Sequence, residues 1–130
     1  MTLNPAYDVI GKGFVQQYYA MFDDPAQRPQ LVNMYNVDSS FMTFEGIQIQ
    51  GGPKIMEKLS SLTFQKISRV ITAVDSQPMF DGGILINVLG QLQTDDDPPH
   101  GFSHVFVLKP LGNSFYCAHD IFRLSIHNNA

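Results

Sequence analysis

Residues Gly83 to Leu111 restrict the fold more than any other stretch. The outgoing arm runs from Gly83 to Gln93, an acidic tip spans Thr94 to Gly101, and the return is Phe102 to Leu108. Two such runs joined by a short tip read as an antiparallel hairpin. Both faces carry apolar residues, whereas a sheet with one face in water alternates cleanly between apolar and polar. Each face of this hairpin therefore needs a cover.

The remaining chain supplies one. Asn4-Pro5 is a helix start, with Asn as cap and Pro at the first helical position. Tyr7, Ile10, Phe14, Tyr18 and Phe22 then follow at helical spacing until Asp23-Asp24-Pro25 stops the run. A shorter helix is expected over Ala26 to Tyr35. Ser40 to Phe44 and Ile47 to Gln50 read as two short strands around Glu45-Gly46. Gly51-Gly52-Pro53 breaks the sheet before a helix over Lys54 to Leu62. Lys66 to Ser76 and Ser114 to Ile126 are two more long strands. The order predicts an α+β fold, with three helices on one face of a strongly curved antiparallel sheet. Neither repeats nor linkers interrupt it, so residues 1–130 read as one domain.

Composition narrows the function. Only 15% of the residues are charged, against a usual ~25%, so part of the surface is expected to face something other than water. An open cavity or a second copy would provide that. A formal net charge of −4 opposes nucleic acid, whose phosphates require Lys and Arg patches. With Cys117 as the single cysteine, neither an internal disulfide nor a cysteine-type zinc site can form. No segment has the length of a membrane span or the pattern of a signal peptide. A soluble protein of a reducing compartment is expected, without metal, cofactor or membrane insertion.

Several segments together carry a family likeness: Gly13-Phe14-Val15-Gln16-Gln17-Tyr18-Tyr19, Met42-Thr43-Phe44-Glu45-Gly46, Glu57 to Leu62, Phe64-Gln65-Lys66-Ile67, Gly90-Gln91-Leu92 with Asp95-Asp96-Asp97-Pro98, and Asp120 to Leu124. In this order and spacing the chain resembles the nuclear transport factor 2 family, small carriers that bring the GTPase Ran into the nucleus. The resemblance implies a cone-shaped fold, a homodimer through the sheet faces, and no catalysis. It implies binding of Ran in its GDP form and of the Phe-Gly repeats of nuclear pore proteins, with residence in cytoplasm and nucleus and concentration at the pore. By motif, the acids at the cavity mouth are Glu45, Asp95 and Asp97. The cavity is lined by Phe44, Leu62, Phe64, Ile67, Ile121 and Phe122, and repeats bind near Tyr7 between subunits. Relatives commonly carry Trp where this chain has Tyr7 and Phe44, which keep an aromatic plane with less area.

Each of these residues also has a plainer role. Asp95-Asp96-Asp97 before two prolines suits a solvated turn, and Phe44, Ile67, Ile121 and Phe122 suit an ordinary core. On an extended tip, Asp95 and Asp97 face the same way and Asp96 the other. His119 and Asp120, adjacent on a strand, point to opposite faces and cannot form a dyad. Asp120 with Arg123 is a candidate for a buried structural pair or for part of the dimer contact. The rival function is a small cone-fold enzyme, of isomerase or dehydratase type, acting on an apolar ligand. It requires at least two titratable side chains inside the cavity, whereas the carrier reading places acids only at the mouth.

Overall fold

The computed structural model describes residues 3–62, 64 and 66–125. Helix α1 spans Tyr7–Phe22, a 3-10 helix spans Arg28–Met34, and α2 spans Gly52–Ser60. The strands are β1 Phe41–Phe44, β2 Ile47–Gln50, β3 Ile67–Pro78, β4 Ile84–Thr94, β5 His100–Leu111 and β6 Ser114–Ser125. They form one sheet in the order β2-β1-β6-β5-β4-β3. The pairing is antiparallel throughout except between β1 and β6, which run parallel. The expected α+β class holds, with a mostly antiparallel sheet. Among the described residues no helix is long and apolar enough to cross a membrane. The end of the expected last strand, Ile126, and the tail after it lie outside the described residues.

Helix α1 starts later than expected. The Asn4 carboxamide oxygen accepts the Ala6 N–H at 2.9 Å, so Asn caps a turn that leads into the helix. The second expected helix winds as a 3-10 helix, with Pro29 in its first turn, and α2 begins at Gly52 with Pro53 next to it. The buried side of α1 is Gly11, Val15, Tyr18, Tyr19 and Phe22, a stripe of helical period laid on the sheet. Gly11 makes the approach close: a Cβ there would sit 2.2 Å from the Ser76 hydroxyl oxygen.

Strand β4 alternates without exception from Ile84 to Leu92. Ile84, Ile86, Val88 and Leu92 face the helices and are buried. Leu85, Asn87, Leu89 and Gln91 face outward. Two register shifts bend the sheet, one between Ile71 and Ala73 in β3 and one between Val107 and Leu108 in the β5–β6 pair. Each places an extra residue on one strand, which sharpens local twist and curls the sheet around the space beneath it. Gly90 lies opposite the first bulge. A Cβ on it would meet the Val70 carbonyl oxygen at 2.4 Å and the Phe102 ring at 2.9 Å. Gly90→Ala is expected to cost about 1–3 kcal/mol by overpacking, measured by urea unfolding. A cost within experimental error would mean that the β3 backbone yields freely at the bulge.

Candidate functional site

The curl encloses a cavity of about 320 Å3 between the inner sheet face, the C-terminal end of α1, and α2 with the segment after it. Its walls are mostly apolar and rich in aromatic rings. Phe44, the last residue of β1, stacks on Phe122 of β6 with centroids 5.1 Å apart and planes 21° apart. The parallel β1–β6 register places these two residues side by side. Phe22 and Phe64 pair across from each other at 6.3 Å. Leu59, Leu62, Ile67, Leu92 and Leu124 complete the apolar lining.

Five of the six expected lining residues are therefore together: Phe44, Leu62, Phe64, Ile67 and Phe122. Ile121 is not among them. It lies one position from Phe122 on β6, so strand alternation turns it to the outer face, where it is 48% exposed. The three acids expected at the mouth are held in different ways. Asp97 contributes to the cavity wall. Asp95 does not share its orientation along an extended tip, because the tip is a turn, with the Asp97 N–H donating to the Thr94 carbonyl at 3.0 Å. The Asp95 carboxylate accepts the Lys66 N–H at 2.9 Å, and its own N–H donates to the Lys66 carbonyl at 2.8 Å. Glu45 donates its N–H to the Phe122 carbonyl at 3.0 Å, and its carboxylate accepts the Leu124 N–H.

Glu45 has φ 51° and Asp95 has φ 50°, the two non-glycine residues with positive φ among the described residues. Such left-handed backbone costs energy and persists where surrounding structure enforces it, often at functional sites. Here the enforcing contacts are the hydrogen bonds to Leu124 and Lys66. Tyr7 is half-buried against the core. It opens α1, and the cavity-lining Phe22 closes it, so the two are separated along the helix axis by roughly 22 Å at 1.5 Å per residue.

Sequence reasoning missed a polar network in the inner wall. His104 Nε2 lies 2.6 Å from Asp120 Oδ1, and His104 Nδ1 lies 2.9 Å from the Tyr19 hydroxyl. Tyr35 donates to Asp120 Oδ2 at 2.7 Å. Tyr18 lies 2.8 Å from the Tyr35 hydroxyl and donates to Asp120 Oδ2 at 3.3 Å. Asp120 is fully buried and His104 nearly so. With Nε2 donating to the carboxylate, a neutral imidazole accepts the Tyr19 hydroxyl at Nδ1, and every polar group of the set has a partner. Asp120 thus pairs with His104, not with Arg123, which is exposed on the outer face. His119 is exposed there too, stacked on Phe41 with rings 6.1 Å apart. The available signal was parity: His104 alternates with Phe102 and Phe106, and Asp120 with Phe122, so all five belong to the inner face.

Burial, followed by the Asp120 charge, pushes the Tyr18 and Tyr35 phenols well above the ordinary range. Burial does the same to Tyr19, and burial then Asp120 hold the Cys117 thiol high. These acids keep their protons longer folded than unfolded. Their contribution to stability is complete below the unfolded-state ionisation and is lost progressively as pH rises from there through the higher folded-state ionisation. Stability in urea is therefore expected to begin falling above about pH 9, as free Cys and Tyr ionise, and to keep falling through about pH 11. A flat profile over that window would show that the phenols are solvated.

Comparison with known proteins fits this geometry. The family model for the Nuclear transport factor 2 domain matches residues 10–124. A Caenorhabditis elegans protein named "Probable nuclear transport factor 2" is 47% identical over 99% of this chain and 100% of its own length. The structure of nuclear transport factor 2 from Cryptosporidium parvum superimposes with a TM-score of 0.90 at 43% identity, covering 96% of this chain and 99% of that one. A putative scytalone dehydratase from Novosphingobium aromaticivorans, 8% identical with a TM-score of 0.75 over 92% of this chain and 84% of its own, shares the fold alone. Among the described residues no group of three His, Cys, Asp or Glu is placed to hold a metal ion. The aromatic cavity and the extent of the match together place the chain in the nuclear transport factor 2 family.

Proposed function

We propose that this protein is a non-enzymatic nuclear transport carrier that binds Ran in its GDP form and moves it into the nucleus. The carrying observation is an aromatic-lined cavity of about 320 Å3 with a carboxylate, Asp97, in its wall. An aromatic side chain of Ran enters between Phe22, Phe64, Phe44 and Phe122, and Ran's basic residues meet Glu45, Asp95 and Asp97. Burying one aromatic anchor contributes roughly 1.5–3 kcal/mol, whereas each exposed ion pair adds ~0.2–1 kcal/mol. The anchor supplies most of the affinity, and the acids set orientation and association rate.

The outer sheet face supports a homodimer: Val70, Leu89 and Ile121 are 65%, 45% and 48% exposed, a concentration of apolar residues that a second copy would cover. Phe-Gly repeats of pore proteins bind near Tyr7 between the two subunits, weakly, so that the carrier releases them in transit. The protein then works in cytoplasm and nucleus and gathers at the pore.

One observation favours the enzyme reading. The cavity wall holds His104 and Asp120, the two titratable groups that reading requires. Against it, both ring nitrogens of His104 are occupied by Asp120 and Tyr19, so neither is open to a substrate proton.

Capture of Ran loaded with GDP or with GTP tests the proposal, and equal capture of both would overturn the selectivity. Asp97→Ala is expected to weaken capture of the GDP form about threefold, corresponding to ~0.2–1 kcal/mol, and to flatten its salt dependence. Asp96→Ala, which removes a neighbouring charge not assigned to Ran, is expected to do less. If the two substitutions are equivalent, only net charge matters at the tip.

A further inference from the structure

His100 is a titratable residue of the cavity wall outside the His104–Asp120 network. It opens β5 and heads that strand's inner row, which continues through the buried Phe102, His104, Phe106 and Leu108. It lies opposite Leu92 of β4 in the sheet register, and both residues line the cavity. His100 is half-buried, so its ring is reached by a proton from solvent and by a guest in the cavity. Among the described residues, the other charged or titratable groups of the wall are Tyr18 and Tyr19 of α1, Arg69 of β3, Asp97 of the tip, His104 of β5 and Asp120 of β6. Arg69 is held side-on by Asp23, at 3.1 and 2.8 Å. Tyr18, Tyr19, His104 and Asp120 are bound to one another. Behind the lining rings stand Lys58, over Phe44, and Arg28, over Phe22 and Phe64. The tip adds Asp96, and Asp95, which accepts the Lys66 N–H. Asp97 and His100, three positions apart in the chain, are the wall groups outside both bonded sets.

We infer that His100 makes the cavity pH-sensitive: in mild acid its protonated ring weakens the hold on GDP-loaded Ran. The inference rests on the proposed carrier role and adds a regulation to it. Histidine is the side chain that ordinarily changes charge between about pH 5 and pH 8. Neutral, the ring is one more flat face in an aromatic wall. Charged, it offsets the negative charge of Asp97 and repels the basic residues that the carboxylate would draw in. An aromatic anchor entering the cavity also removes water from the ring, which disfavours the charged form. These effects have one sign. Proton and partner oppose each other at the same wall, and by reciprocity affinity falls as the proton goes on.

The test is calorimetric titration of the full chain with GDP-loaded Ran at about pH 8 and about pH 6, which bracket the ordinary histidine range, with urea unfolding at both to check the fold. The unaltered protein is expected to bind about two- to fivefold more weakly at the lower pH, the size of one exposed charge interaction. Groups of Ran that titrate in this window act on every variant alike, so the readout is how substitution changes the ratio of the two affinities. His100→Gln is neutral at both pH values and His100→Lys is charged at both. Each is expected to remove the His100 factor from the ratio, whatever its absolute affinity, and the Lys variant to bind more weakly than the Gln variant. Either variant alone decides the ratio if the other does not fold. A ratio that substitution leaves unchanged, or a Lys variant as tight as the Gln variant, overturns this inference and leaves the carrier role standing. Absence of binding at both pH values overturns the carrier role and the inference with it.

Discussion

Asp120→Ala is expected to lower the unfolding free energy by about 3–5 kcal/mol, since each buried hydrogen-bond donor left unmet costs about 1–3 kcal/mol and more where its partner was charged. Asp120 is fully buried and takes hydrogen bonds from His104, Tyr35 and Tyr18. Its removal leaves His104 and Tyr35 without the acceptor they share, and each unmet group adds its own desolvation cost. A domain has only about 5–15 kcal/mol in total, so the loss endangers folding. Asp120→Asn keeps the shape and is expected to lose less, because an amide oxygen still accepts from Tyr35 while its nitrogen can donate to His104 Nε2 in the tautomer that carries the ring proton on Nδ1. A double-mutant cycle with His104→Leu measures the coupling, expected between about 0.5 and 3 kcal/mol for groups in one network. Urea unfolding of the four proteins decides it. An Asp120→Ala loss below 1 kcal/mol would show that solvent reaches the network.

The largest functional effect is expected from Leu62→Trp. Leu62 lies in the cavity wall just past α2, half-buried rather than part of the tight core. An indole there takes up cavity space without replacing a fully buried side chain. If an aromatic anchor supplies most of the binding, plugging its hole removes roughly 1.5–3 kcal/mol, which is a loss of about ten- to a hundredfold in affinity for GDP-loaded Ran. Calorimetric titration measures the loss, and thermal unfolding with sedimentation confirms that fold and oligomeric state are unchanged. Undiminished affinity in a folded variant would place the anchor elsewhere. A weaker effect than that of Asp97→Ala would make the acids the main source of affinity, contrary to the ledger of anchor against rim.

The strands were legible because side-chain direction in a strand has a period of two, a property of adjacent residues alone. Ile84 to Leu92 shows it most plainly, with every second residue buried. The same rule could have excluded Ile121 from the cavity, since it cannot share a face with Phe122, and the family likeness carried both together. Phe44, Leu62, Phe64, Ile67 and Phe122 came from motif resemblance, and the structure gathers them from β1, β3, β6 and the segment after α2.

What the chain alone determined was local: the apolar stripe of α1, the strand runs, the turn at Glu45-Gly46, and the low charge that asks for a cavity and a covered face. What the tertiary structure decided was register and turn geometry. His104 and Asp120 are 16 residues apart, and their meeting depends on the β5–β6 alignment, with Phe106 opposite Asp120 and His104 opposite Phe122. Arg69 meets Asp23 across 46 residues. Asp95 and Asp97 diverge because Lys66, at the entrance to β3, closes the tip into a turn. Each of these depends on which distant backbone group arrives as a partner, and no local periodicity encodes that, because register is set by the whole sheet closing over its core.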